Sequence, residues 1–235
     1  MDQTQRQLVI CLPCYDGTLQ YGCMAGIVQL TKLCETANIG VQVMYIARDS
    51  LITRARNYLC KGFLDILNAT HMLFVDSDIE FQAEDVMRML EANVDIIGGI
   101  YPKKSLRWEK GKDYPIMDYV VSNLSSNDVI TDINQPFEVR YVGTGLMLIK
   151  RGVLHAMMSA FPDDWYYEET TKYHKFFDCQ IVDNNYLSED YYFCERWRRL
   201  GGKVYAAYWT RTVHWGIHGF EGDVIAYALK VAANS

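Results

Sequence analysis

His71-Met72-Leu73-Phe74-Val75-Asp76-Ser77-Asp78 is an apolar, strand-like run that ends abruptly in two carboxylates. A buried strand has no hydrophobic reason to stop at Asp-x-Asp. In open α/β sheets, ligands gather just beyond the carboxyl ends of strands. Hard oxygen ligands at such a point suit Mg²⁺ or Mn²⁺ carrying a diphosphate. The plainer alternative is a turn whose Asp side chains bond their own backbone.

The surrounding pattern supports a strand here. Leu8-Val9-Ile10-Cys11-Leu12 and Val41-Gln42-Val43-Met44-Tyr45-Ile46 read as two further buried strands, and Asp95-Ile96-Ile97-Gly98-Gly99-Ile100 as a fourth. Between them, residues 21–37, 51–67 and 83–92 carry apolar side chains at helical spacing. This alternation predicts an α/β fold with a mostly parallel, Rossmann-like sheet and helices on both faces. After residue 101 the pattern loosens into a polar segment reaching about residue 138. It tightens again at Val139-Arg140-Tyr141-Val142 and Leu146-Met147-Leu148-Ile149, which predict a small antiparallel element. Residues 161–187 read as irregular and aromatic. A helix over 188–200 should stop at Gly201-Gly202, and Lys203-Val204-Tyr205-Ala206-Ala207-Tyr208 should form the last strand.

With 235 residues, 50% of them hydrophobic, the chain can bury a sizeable core. It shows no internal repeat or Pro-rich linker, so a single continuous domain over 1–235 is expected. No apolar run is long enough to span a bilayer, and Met1-Asp2-Gln3-Thr4-Gln5-Arg6-Gln7 lacks the form of a signal peptide; the expected location is the cytoplasm. Seven cysteines at irregular spacings read as small buried hydrophobes. Cys11-Leu12-Pro13-Cys14 matches Cys-x-x-Cys without a second pair for zinc. A net charge of −6 argues against a large nucleic-acid surface.

Further candidates for chemistry stand beside Asp76, Ser77 and Asp78. Residues 49–57 open a helix after the second strand, with Arg54 and Asn57 one turn in as an anion-facing end, or with Asp49 or Ser50 as a plain cap. Ser188-Glu189-Asp190 begins the late helix; the helix dipole should depress the pKa of both acids and keep them ionised. An ionised carboxylate there can deprotonate a hydroxyl, or it can simply cap. His214 and His218 flank Gly216, which removes the helical zinc motif. One imidazole can complete a metal shell begun by Asp78. Gly143-Thr144-Gly145 signals close backbone approach to a ligand or to another strand. Lys103 and Lys104 meet a phosphate or are solvated, and Arg196-Trp197-Arg198-Arg199 reads as a solvated face paired with Glu195. Trp165, Tyr166, Tyr167, Tyr173, Phe176, Phe177 and Tyr186 form either a platform for a sugar or base or their own packing.

In order along residues 7–223, Arg54-Ala55-Arg56-Asn57, Phe74-Val75-Asp76-Ser77-Asp78-Ile79, Tyr101-Pro102-Lys103-Lys104, Gly143 to Lys150 and Leu187-Ser188-Glu189-Asp190-Tyr191-Tyr192-Phe193 resemble a GT-A-type glycosyltransferase. The similarity is to the family-two-like enzymes of bacteria, phages and large viruses. It implies a nucleotide-binding half over 7–100, an acceptor-side half over 101–223, and a host-cytoplasmic location if the source is viral. It also implies that Asp78 binds Mn²⁺ or Mg²⁺ on the diphosphate of a nucleotide sugar, with Asp76 near the ribose or the metal's water shell. His214 or His218 is implied as a further metal ligand. Arg54, Asn57, Ser77 and Gly145 fall on the donor side, and Pro13, Tyr15 and Asp16 where the nucleoside is held. Asp190, with Glu189 beside it, is implied as the base for an inverting displacement onto an acceptor glycan, protein or hydroxylated DNA base. Two other functions compete. A sugar-nucleotide nucleotidyltransferase should carry a Gly-rich basic loop after the first strand, and a non-catalytic sugar- or nucleotide-binding module needs no acids at 189 and 190.

Overall fold

The computed structural model describes residues 6–108, 115–125 and 128–233. Residues 1–5 and parts of the polar segment after residue 101 lie outside the described residues. The first hundred residues alternate as their periodicity predicts: β1 (Gln7–Cys14), α1 (Tyr21–Thr36), β2 (Gly40–Ala47), α2 (Ile52–Asp65), β3 (His71–Val75), β4 (Ile79–Phe81), α3 (Ala83–Ala92) and β5 (Ile96–Gly99). The polar segment holds short strands, β6 (Pro102–Arg107), β7 (Ile116–Tyr119) and β8 (Val121–Ser122), followed by β9 (Phe137–Val139) and β10 (Tyr141–Val142). Then come β11 (Leu146–Lys150) and α4 (Arg151–Ala160).

Residues 161–187 are not irregular. They form two hairpins, β12 (Trp165–Glu168) with β13 (Thr171–His174), and β14 (Gln180–Val182) with β15 (Asn185–Leu187). Their turns use left-handed Glu169, Asp183 and Asn184 rather than the Gly-containing turns that mark hairpins in a sequence. α5 (Glu189–Arg199) and β16 (Val204–Ala207) follow, but β16 is not the last strand. β17 (Thr212–Trp215), β18 (Gly219–Gly222) and α6 (Val224–Ala233) close the described chain.

Seven strands form the central sheet in the order β2-β1-β3-β11-β5-β16-β9. β2, β1 and β3 are mutually parallel, and β5 and β16 run the same way; β11 and β9 are reversed. The sheet is therefore mostly parallel, and strands from both halves of the chain share it. One face packs on α1 and α3 through residues such as Leu30 and Met89, the other on α2, α4 and α5 through Phe63, Leu154 and Phe193. Burial on both faces explains why β3 is apolar throughout. β2 departs from its expected burial: as an edge strand bonded only to β1, it leaves Val43 and Tyr45 exposed. A β-branched run does not distinguish an edge from a centre.

α5 ends as its glycines predict. Gly201 takes φ +83°, and the amides of Gly202 and Gly201 donate to the carbonyls of Trp197 (3.1 Å) and Arg198 (2.9 Å), a Schellman cap. Cys11 and Cys14 sit three apart on β1 and face opposite sides of the sheet, so strand geometry separates the two thiols of Cys-x-x-Cys.

His71, at the start of β3, is buried against Thr70 (Nδ1 to Oγ1, 2.8 Å). Burial, with the charges of Arg6 and Lys150, pulls its imidazole down to about 4 from the usual 6.5. Below pH 6.5 the unfolded chain therefore takes up a proton that the folded chain refuses. The stability gained from neutral His71 is complete above its unfolded pKa and lost as pH falls toward 4, by about 3 kcal/mol in all. Urea denaturation across that window measures this, and His71→Asn should flatten the slope by about one proton; an unchanged slope would assign the loss to other groups.

Candidate active site

Beyond β3 the chain turns sharply, with the Ile79 amide donating to the Asp76 carbonyl at 3.0 Å. Three elements hold this turn by its backbone. The Asp76 amide donates to the Gly145 carbonyl at 3.0 Å, the Gln20 amide to Ser77 at 2.9 Å, and the Trp215 amide to Asp78 at 2.8 Å. So anchored, the two carboxylates diverge: Asp76 faces α2 and α5, and Asp78 faces β6 and β17. The Asp side chains do not close an Asx turn on their own amides. Each instead meets a cation from elsewhere in the chain.

The cation on Asp76 is Arg56. Its Nη2 lies 2.9 Å from Asp76 Oδ1, and its Nε lies 3.4 Å from Glu189 Oε1. Arg56 is only 2% exposed, and its guanidinium stands 5.2 Å from the Phe74 ring centroid. Burial alone would lower its pKa, but the charges of Asp76 and Glu189 outweigh this and raise it, so the group stays charged. Among the described residues its Nη1 has no hydrogen-bond partner.

Arg56 was legible in the sequence as a charge on an apolar helix stripe, four residues before Cys60 and seven before Phe63. Its neighbours Arg54 and Asn57 both have partners within the protein. Arg54 grips Asp49 with Nε at 2.9 Å and Nη2 at 2.8 Å, which holds the Asp49 carboxyl below its usual range. Asn57 is spent on the backbone: Oδ1 accepts from the amides of Phe176 (3.0 Å) and Phe177 (2.9 Å), and Nδ2 donates to the Phe177 carbonyl. Being 3% exposed, Asn57 is an internal brace, not a ligand contact. Neither Asp49 nor Ser50 is the cap of α2, whose first flanking residue is Leu51.

α5 delivers Glu189 and Asp190. The Ser188 hydroxyl donates to Asp190 Oδ1 rather than capping the helix, and the Tyr191 amide donates to the same oxygen at 2.8 Å. The Asp190 carboxyl is raised, not depressed: burial acts first and the charge of Glu189 second, and together they exceed the effect of these hydrogen bonds and of Arg56. A helix dipole lowers a carboxylate pKa where solvent reaches the helix start; here burial outweighs it. Tyr101 lies between the acids and β11; its hydroxyl accepts from the Gly145 amide at 3.0 Å. Burial, with the charges of Asp76 and Asp190, pushes the phenol far up, so it remains neutral. A Cβ at Gly145 would fall 2.6 Å from the Tyr101 ring. The glycine thus admits a tyrosine, not a ligand, and Tyr101 joins Arg56 among the site residues that sequence reasoning passed over.

Asp78 meets Lys104 (Oδ2 to Nζ, 2.5 Å) and faces His214 (Oδ1 to Nε2, 3.7 Å). Burial would raise this carboxyl, but His214 and Lys104 overcome it and hold it below its usual value. His214 Nδ1 lies 2.8 Å from the Pro102 carbonyl. A carbonyl only accepts, so Nδ1 carries a proton, and Nε2 is the ring nitrogen turned toward Asp78. That is the arrangement of a metal-ligating histidine whose second nitrogen is pinned by a backbone oxygen. Asp78 and His214 thus offer two donors of the type a divalent cation takes, and among the described residues no group of three or more His, Cys, Asp or Glu side chains is placed to hold a metal ion. His218 is exposed at the β17–β18 turn with its ring 4.1 Å from that of Phe220, away from this pair.

On the β1 side, Pro13 is buried in register with Ile46, whereas Tyr15 is 69% exposed. Asp16 Oδ1 accepts from the Thr18 amide (3.0 Å) and hydroxyl (2.6 Å), and these bonds lower its pKa. Gly17 follows at φ +78°. Of the aromatic group, Phe176 and Phe177 belong to the core, Phe177 stacked 4.5 Å from Phe193. Trp165 and Tyr167 pack on each other on the β12–β13 hairpin. Arg196 is not solvated: it is buried, 2.8 Å from Asp164 Oδ2 and 4.2 Å from the Phe161 ring centroid. Arg199 pairs with Glu195 at 3.0 Å as expected.

Searches against protein-family models and curated sequences find no match. Among solved structures, the chain is similar to A197 from STIV, with a TM-score of 0.52 and 16% identity over 90% of this chain and 86% of that one. At such identity the likeness is one of fold. Weaker likenesses include the inositol-1-phosphate CTP transferase from T. maritima (TM-score 0.41, 8% identity, 88% and 86% covered). Another is a glycosyltransferase involved in the glycosylation of the major capsid of PBCV-1 (TM-score 0.32, 9% identity, 67% of each chain). No helix among the described residues is long and apolar enough to cross a membrane.

Proposed function

We propose that this chain is a glycosyltransferase that moves a sugar from a nucleotide-sugar donor to an acceptor hydroxyl. The observation that carries this reading is Arg56, whose buried guanidinium ties Asp76, at the end of a central strand, to Glu189 at the start of α5. A binding module has no use for such a bridge between two acidic clusters. A nucleotidyltransferase would want a basic loop after β1. Here that loop, Pro13-Cys14-Tyr15-Asp16-Gly17-Thr18, carries no lysine or arginine and folds its one acid onto Thr18.

In this reading Asp78 and His214 would hold Mn²⁺ or Mg²⁺, which when bound neutralises the charge of a departing nucleoside diphosphate. Asp190 receives the proton of the acceptor hydroxyl. Both of its internal hydrogen bonds fall on Oδ1, which leaves Oδ2 for the acceptor, and its raised pKa brings its basicity closer to what proton transfer at neutral pH requires. Arg56 holds Asp76 in place on the donor side. Tyr101, kept neutral, supports the Gly145 backbone beneath them. A single displacement with one base inverts the anomeric centre.

Release of nucleoside diphosphate from a panel of nucleotide sugars, with and without Mn²⁺, tests this. The expected result is release from one donor that requires the metal and vanishes in Asp78→Ala. No release from any donor, together with no thermal stabilisation by any nucleotide, would overturn the reading in favour of a binding module.

A further inference from the structure

Lys104 places its ammonium on the same Asp78 carboxylate that faces His214. Three features make this more than a surface ion pair. Lys104 comes from β6, the strand whose Pro102 carbonyl pins His214 Nδ1, so one short segment both orients the histidine and supplies the cation. Its stem runs beside Gly216, where an added Cβ would meet Lys104 Cδ at 3.3 Å; a side chain there would crowd the lysine. Finally, the Trp215 amide holds the Asp78 backbone at 2.8 Å, which keeps the residue beside both Lys104 and His214.

We propose that Lys104 is an internal counter-cation that competes with the divalent metal for Asp78. This rests on the metal part of the function proposed above. Without metal, the ammonium adds to His214 in compensating a half-buried carboxylate. Metal binding must break that ion pair, so apparent affinity is lowered by the fraction of molecules in which Lys104 holds the site. The displaced ammonium stays at the same opening, where an anionic diphosphate becomes its new partner. Metal and donor then load cooperatively: the donor gives Lys104 somewhere to go, and the metal frees it. A divalent ion without donor is held weakly, which protects the site from idle occupancy.

The test is Mn²⁺ binding followed by electron paramagnetic resonance, which needs no turnover. It uses the full chain as parent, Lys104→Met, Asp78→Ala and the double variant, each checked for an unchanged melting temperature. Lys104→Met should bind Mn²⁺ roughly fivefold to tenfold more tightly than the parent, and the tightening should disappear when Asp78→Ala is added. Adding a nucleoside diphosphate should tighten Mn²⁺ binding more in the parent than in Lys104→Met. Equal or weaker Mn²⁺ binding by Lys104→Met, with a parent site that Asp78→Ala removes, would overturn the competition while leaving the metal reading intact. If neither the parent nor Lys104→Met binds Mn²⁺ in a manner that depends on Asp78, the competition and the metal assignment both fall.

Discussion

Asp190→Asn is expected to lower turnover about 10²- to 10⁴-fold while leaving nucleotide binding and the melting temperature near those of the parent. Asparagine keeps an oxygen for the Ser188 hydroxyl and the Tyr191 amide, so the start of α5 survives; only the ability to take a proton is lost. The pH profile distinguishes a base from a positioning group. A base at Asp190 would act when unprotonated, and burial with the neighbouring Glu189 charge raises its pKa. Activity should therefore rise with pH on the acid side, through a limb set by that raised value. Glu189→Gln removes one cause of the raising, so the limb should move to lower pH. A limb that moves to higher pH, or an Asp190→Asn variant within about threefold of the parent, would remove Asp190 from the role of base.

Arg56→Met should lose about 3 kcal/mol of stability and most of the activity, because it leaves the Asp76 and Glu189 carboxylates facing each other without their shared cation. Both acids are more than two-thirds buried, with side-chain exposures of 28% and 14%. Solvent cannot replace the guanidinium cheaply. Arg56→Lys restores the charge but not the fork that reaches two carboxylates in different directions, so it should recover stability more than activity. Urea unfolding at neutral pH provides the first measurement and donor turnover the second. Stability within about 0.5 kcal/mol of the parent would mean that the cost of burying the guanidinium cancels its pairing, and that the bridge serves geometry alone.

What the sequence revealed and what it concealed follow from range. α1, α2 and α3 and the central strands were readable because their periodicity is local, and the end of β3 was readable because two acids there have no packing explanation. The β12–β13 and β14–β15 hairpins were hidden by turns that use Glu, Asp and Asn at positive φ in place of glycine. The edge position of β2 depends on which strands lie beside it, which no window of residues records. Within the site, Asp78 and His214 are 136 residues apart and meet only because β17 pairs with β4. Sequence reasoning left His214 and His218 equivalent, and the register separates them, since His214 lies opposite Ile79 while His218 lies in the turn. The rise in the Asp190 pKa is likewise a tertiary effect, produced by burial that a helix-start motif cannot report.

The reversed strand β11 also governs how the molecule can change. In an all-parallel sheet, the chain leaving β5 must cross back to the opposite rim before the next strand begins. Here β9 and β11 both start on the rim where β5 ends, and Lys104 of β6 reaches Asp78 from that rim. Lengthening the connection between β5 and β9 would leave the register of the central strands untouched. The fold thus separates a sheet of fixed register from a connection free to vary in length.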